Sequence, residues 1–329
     1  MNLFEVLSKD IEQDRAFKTT TKHSKKAILT ESLEVDASTL TKPILQLNAL
    51  PMTINPDEFK NAYSSENPKG SLSSLWAFRQ LVSPMPTFSK YYNPSNRSTE
   101  SVYASIVKGA STSVDSPFIT QIIADSKQSL ELTKYANMDD TPGAWAPIQA
   151  TPSDWYDTSN NRYKSIEFDL SKAGNPDSRF AIIGGKEASG KLQFSNNKKQ
   201  IKTKNLDITT EIKKISMKYL EVSLSREWYN ETLFSTYGWL LKGQPKGFCS
   251  SGDLDANDGI FSIVPSSIIL GCNLSVDANW SESDQKHIND SVSKGEQVSI
   301  DNLVIHPEKG KTDLQVIGWV SKLIPFSPK

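Results

Sequence analysis

KYLEVSLSREWYNETLFSTYGWLLKG, residues Lys218–Gly243, opens with strict alternation and ends in a dense run of rings. Leu220, Val222 and Leu224 fall on one side of an extended chain, and Glu221, Ser223 and Ser225 on the other. A period of two with one apolar side marks a half-buried β-strand. Trp228, Tyr229, Phe234, Tyr237 and Trp239 follow at once. The strand therefore runs into an aromatic corner, and the second half of the chain has a sheet-based core.

The same period extends on both sides of this block. Ile166, Phe168 and Leu170 predict one strand, Phe180–Ile183 a second, and Leu192 with Phe194 a third. Further strands are predicted over 206–217, 218–226, 259–264, 267–276, 297–305 and 313–324. Gly184-Gly185, Asn196-Asn197, Asn257-Asp258-Gly259 and Lys309-Gly310 separate them as turns. Short turns without intervening helices predict an antiparallel β-sandwich, or a barrel-like Greek-key sheet, over 164–329.

The first half reads as helical. Leu3, Phe4, Leu7 and Ile11 stand at helical spacing over 2–17. Asn55-Pro56-Asp57-Glu58 combines a cap, a proline at the first position and acids in the first turn, which starts a helix to about Ser64. Leu72–Val82, Ser98–Ala110 and Ser116–Met138 complete the set. Residues 141–163 hold Trp145, Pro147, Pro152, Trp155 and Tyr156 with no period and read as a connection. The expectation is an α+β chain: a helical region over 1–140, packed on an antiparallel β domain over 164–329.

Composition excludes more than it selects. Net charge is −1 over 329 residues, so no global charge argues for nucleic acid as a partner. Two cysteines, Cys249 and Cys272, cannot build a disulfide framework and are expected as reduced structural thiols. No apolar window is long enough for a transmembrane helix. The N-terminal residues carry acids and lack the apolar run of a secretory signal. The expected location is cytoplasmic, or outside the cell after export without a cleavable signal peptide.

Two motifs come close to known chemistry and fall short. Gly185-Lys-Glu-Ala-Ser-Gly190-Lys191 has the glycine and lysine spacing of a phosphate-binding loop, after the apolar strand Phe180–Ile183. Leu192 stands where a hydroxyl should meet magnesium, and LQFSN alternates like a strand where a helix should start. Gly185, Gly190 and Lys191 are the residues a phosphate would use, but the expected structure is a glycine-rich hairpin loop. Asp253, Asp255 and Asn257 sit at the first, third and fifth positions of a calcium loop. The glycine then comes one place late, and Val264 stands where a bidentate glutamate belongs. An acidic turn is the expected reading. The three histidines, His23, His287 and His306, lack metal-ligand spacing. No Gly-x-Ser-x-Gly elbow frames a nucleophile. Nothing implies a cofactor, and the pattern points away from an enzyme.

Recognition-type residues are abundant by contrast. Arg226, Tyr229, Tyr237 and Trp239 follow the best strand, and Trp145, Trp155 and Tyr156 occupy the connection. Arginine and large aromatics anchor interfaces, although the same residues also plug cores. Charge is segregated as well: 186–218 carries nine lysines against three acids, and 251–290 carries seven acids against one lysine. Complementary patches of this kind favour self-association. The sequence therefore points to a non-catalytic interaction or assembly protein that forms homo-oligomers. A leaderless toxin or effector, or a module binding glycans or a membrane surface, is the alternative. A hydrolase with a site dispersed along the chain is the third reading.

Overall fold

The computed structural model describes residues 43–47, 51–63, 67, 69–82, 99–132, 148–169, 181–183, 190–196, 200–254 and 257–329. The strands are β1 (Ile44–Leu47), β2 (Ala110–Thr112), β3 (Gln149–Thr151), β4 (Lys164–Asp169), β5 (Ala181–Ile183), β6 (Lys191–Ser195), β7 (Ile201–Asn205), β8 (Glu211–Ser225), β9 (Trp239–Leu241), β10 (Ile263–Asn279), β11 (Gln297–Ile300), β12 (Leu303–His306) and β13 (Gln315–Leu323). The helices are α1 (Leu72–Val82), α2 (Thr99–Gly109), α3 (Pro117–Leu132), α4 (Thr232–Ser235) and α5 (Glu282–Ser293).

This arrangement corrects the expected fold class. Among the described residues strand exceeds helix, the helices are short, and the sheets are open rather than closed. A helical body over the first half is not shown among the described residues. The first half supplies β1, which lies between β13 and β5 in the largest sheet. The predicted helix over 2–17 lies outside the described residues. At Asn55-Pro56 only a single 3-10 turn forms, Pro56–Glu58. The helices starting at Leu72, Thr99 and Pro117 form at the positions their apolar spacing predicts.

The chain divides into two compact units, each assembled from separate segments. Unit 1 takes residues 1–56, 155–222 and 268–320; unit 2 takes 57–154, 223–267 and 321–329.

In unit 1, β4, β8, β10, β13, β1 and β5 are hydrogen-bonded in that order. β4 pairs antiparallel with β8, Ile166 facing Met217, whereas β1 and β5 run parallel, Leu45 facing Ile182. β8 runs unbroken for 15 residues where two strands were expected. Its buried side changes along the way: Ile215, Met217 and Tyr219 are buried, and then Leu220 and Val222. The change of phase explains why the alternation reads as two strands. Leu45, Leu47, Ile215, Met217, Ile269, Ile317 and Val320 form the main core. Full burial of each aliphatic side chain contributes about 1.5–3 kcal/mol, and this set supplies much of what holds the sheet.

A smaller antiparallel sheet, β12-β11-β6-β7, completes unit 1. Phe194 faces Val298 and Leu192 faces Ile300 across β6 and β11. Ile288 of α5 packs on the same cluster. β6 is a strand directly after Gly190, so no helix N-terminus follows the Gly185–Lys191 motif. β5 pairs with β1, and β6 with β7 and β11, so the expected hairpin between β5 and β6 does not form.

In unit 2, α2 packs on α3, and β2 pairs antiparallel with β9, Thr112 facing Trp239. β3 pairs with the end of β8, Ala150 facing Leu224. The six residues after Leu323 close back on the loop over 247–250. Ser327 exchanges backbone hydrogen bonds with Ser250, and Cys249 N–H donates to Ser327 O (2.9 Å). Cys249 and Cys272 are both buried and unbridged, and burial raises their thiols to about 12 and about 11.

Candidate functional site

The aromatic corner of unit 2 is built inward. Trp228 and Phe234 are fully buried and Trp239 is 1% exposed. Tyr103 of α2 meets Trp228, Tyr229, Phe234 and Phe261 with ring centroids 5.3–6.0 Å apart. These tilted and edge contacts suit the quadrupoles of the rings. The Asn230 N–H donates to Tyr103 Oη (2.8 Å), and Asn230 Nδ2 donates to Ser126 Oγ (3.0 Å). Burial raises the phenols of Tyr103 and Tyr229 above the usual range, so both are neutral at physiological pH.

Arg226 is also turned inward. Its Nη1 donates to Pro265 O and its Nη2 to Val82 O (3.0 Å). Burial lowers its guanidinium to about 10, and the nearby carboxylate of Glu100 acts in the opposite sense. Glu100 in turn faces Arg79 at 3.8 Å, with both side chains buried. Arg226 thus ties two backbone carbonyls together rather than addressing solvent.

The remaining predicted positions divide in the same way. Trp155 is buried, and its carbonyl accepts from Tyr163 Oη (2.6 Å); Tyr156 packs edge-on against it, half-buried. Trp145 lies outside the described residues, as do Gly185 and Asp255. Gly190 adopts a positive φ of 65° beside β6; Lys191 N–H donates to the Asp301 carboxylate Oδ1 (3.0 Å), and Lys191 O accepts from Asp301 N–H (2.8 Å). The Asn257 side chain accepts from Ser251 N–H and Gly259 N–H and donates to Ser250 Oγ. Its oxygen pins the loop, and Asp253 is exposed on the same loop. Among the described residues no cluster of three or more His, Cys, Asp or Glu is placed to hold a metal ion.

In unit 1 the basic and acidic stretches meet at one buried carboxylate. Asp284, in the first turn of α5, has no exposed surface. It accepts from Lys204 Nζ (2.6 Å), Thr210 Oγ1 (2.7 Å) and Asp207 N–H (2.8 Å). Its own N–H is capped by Ser281 Oγ (3.0 Å). Burial alone would raise the carboxyl. The donors from Lys204, Thr210 and Asp207 override it, and the net shift is downward. Part of the charge segregation seen in the sequence is therefore cancelled inside the unit.

One predicted residue does reach solvent. Tyr237 is 70% exposed, with Lys329 Nζ 4.4 Å from its ring centre. Two residues of the same unit that are absent from the sequence prediction are also exposed, Val114 (50%) and Phe118 (66%). Gly238, next to Tyr237 in the chain, packs against Val114 and Ile119. A Cβ there would lie 2.9 Å from Val114 Cγ2 and 2.5 Å from Ile119 Cδ1, next to Phe118 in the chain. Its φ of 86° belongs to the left-handed region that favours glycine. The β2–β9 ladder and the Ser113 N–H···O Gly238 bond (2.9 Å) brace the site. Phe118 was legible in principle. It stands beside Ile119, Ile122 and Ile123, which are buried, in the exposed first turn of the helix. Val114, Phe118 and Tyr237 present apolar and aromatic side chains, with the Lys329 ammonium over the Tyr237 ring. No protein-family model, no curated protein and no solved structure matches the chain.

Proposed function

We propose that this chain is a non-catalytic interaction protein that self-associates through the Val114–Phe118–Tyr237 surface of unit 2. The carrying observation is that two large rings and a branched aliphatic side chain stand 50–70% exposed in unit 2, where Gly238, beside Tyr237, packs on Val114 and on Ile119, the chain neighbour of Phe118. Isolated exposed apolar residues are ordinary, but a gathered set marks a contact surface. Across a twofold axis, Phe118 of one copy can stack on Tyr237 of the other, and the reverse. Of the other recognition-type residues, Arg226, Trp239 and Trp155 are buried in the core. Light scattering across protein concentration tests the reading. The expected mass exceeds that of one chain and falls toward it in Phe118→Ser. An unchanged mass in Phe118→Ser and in Tyr237→Ser would overturn it.

A further inference from the structure

The two edges of the small sheet in unit 1 are finished differently. At β12 the Gln315 side chain takes the place of a neighbouring strand. Its Oε1 accepts from Val304 N–H (2.8 Å) and its Nε2 donates to Val304 O (3.0 Å). Gln315 is fully buried there. At the other edge, β7 pairs with β6 along its whole length, Thr203 facing Gln193, and nothing among the described residues pairs with its outer side. Ile201, Lys202, Thr203 and Asn205 are all exposed. An open strand edge is a template for another strand.

The side chains of β7 state what would fit. Lys202 and Lys204 share the side of Phe194 and Leu192, their cross-strand partners; Ile201 and Thr203 share the other. The Lys204 ammonium is engaged by Asp284 and by Ser283 Oγ (2.8 Å). Lys202 makes no ion pair among the described residues, and Ile201 is 45% exposed. An added strand therefore meets one available cation on one side and a branched apolar side chain on the other. A second copy of β7 is a poor occupant. In a twofold antiparallel pairing centred on Thr203, Lys202 of each copy falls opposite Lys204 of the other, and like charges directly opposite are destabilising. The Lys204–Asp284 contact also anchors β7 to α5, so the edge is ordered before anything binds, which lowers the entropy of association.

We propose that the outer edge of β7 receives an extended acid-bearing segment of a protein partner, which adds as a fifth strand with a carboxylate opposite Lys202. The site lies in unit 1, and the proposal does not depend on the self-association assigned to unit 2. The probe is the peptide acetyl-Thr-Val-Glu-Thr-Val-Thr-amide, beside the same peptide with Lys in place of Glu, added to the full chain. Amide hydrogen exchange reads the location and fluorescence anisotropy of labelled peptide reads affinity. The expected result is slowed exchange confined to 201–205 and roughly fivefold tighter binding of the Glu peptide. The preference should invert in Lys202→Glu, whose exposed site leaves the fold intact. Absence of protection at 201–205 with peptide at about 1 mM overturns the proposal. So does equal binding of the two peptides, or displacement of the Glu peptide by a single-stranded oligonucleotide. Phe118→Ser should leave peptide binding unchanged, which separates this proposal from the previous one.

Discussion

Replacing Asp284 with alanine should destabilise unit 1 more than most single substitutions in this chain. The carboxylate is wholly buried and accepts from Lys204, Thr210 and the Asp207 N–H. Removing one partner of a buried ion pair costs about 3–5 kcal/mol. Lys204 is 29% exposed and recovers some hydration, which moves the figure toward the lower end. Two neutral donors are left unsatisfied as well, and the N-terminus of α5 loses its favourable negative charge. The net loss should be about 3 kcal/mol. With a urea slope of roughly 2–3 kcal/mol/M, the midpoint falls by about 1–1.5 M. Asp284→Asn keeps an acceptor and should lose about half as much. The pH dependence follows from the lowered carboxyl. Asp284 holds its proton less tightly in the folded than in the unfolded chain. Its stabilisation is present above the unfolded value of about 3.9 and disappears as pH falls through the folded value. The gap between wild type and Asp284→Asn should therefore close in acid below about pH 4. A loss under about 0.5 kcal/mol for Asp284→Ala at neutral pH would refute the reasoning, since that is the range of ordinary surface changes.

Three further outcomes follow from unit 2. Arg226→Met should lower stability by about 3 kcal/mol in thermal or urea unfolding, because it abandons the carbonyls of Pro265 and Val82; a neutral result would remove Arg226 from the core account. Gly259→Ala places a Cβ 2.2 Å from Cys249 O, a backbone atom that cannot swing aside, and should cost at least about 1–3 kcal/mol. Truncation after Leu323 removes the Ser327 and Pro328 bonds to the loop over 247–250. Cys249 should then pass from inert to readily labelled by a thiol reagent in the native state, and unchanged labelling would show that the tail does not seal it.

The parts of the fold that were legible are those with one clean period. Leu75 and Val82, and Val102 and Ile106, each repeat on a single face, and their helices form as read; Leu220 and Val222 lie in a strand as read, though it is longer than expected. What escaped lacks that signal. α5 buries Asp284, Ile288 and Ser291, one apolar residue among three, so its clue was the Ser281 cap and the acids after it. β10 continues through Pro265, which reads as a break, since proline normally ends pairing. β11 and β12 are separated by Asp301 at a positive φ of 51°, a tight turn hidden inside one apolar run. β1 is four residues long and owes its place to β13 and β5 rather than to its own pattern. At the candidate surface the chain shows that Arg226 and the rings follow a strand; which of them face solvent depends on packing against α2 and α3. Tyr237 projects because Gly238 turns the chain against Val114 and Ile119, a geometry set by residues more than a hundred positions away.

Self-association through Phe118 is decided by multi-angle light scattering of the full chain, wild type beside Phe118→Ser. The expected result is a concentration-dependent mass above 36.6 kDa for the wild type and a mass close to 36.6 kDa for the variant, with unchanged melting. A wild-type mass of one chain at every concentration would contradict it.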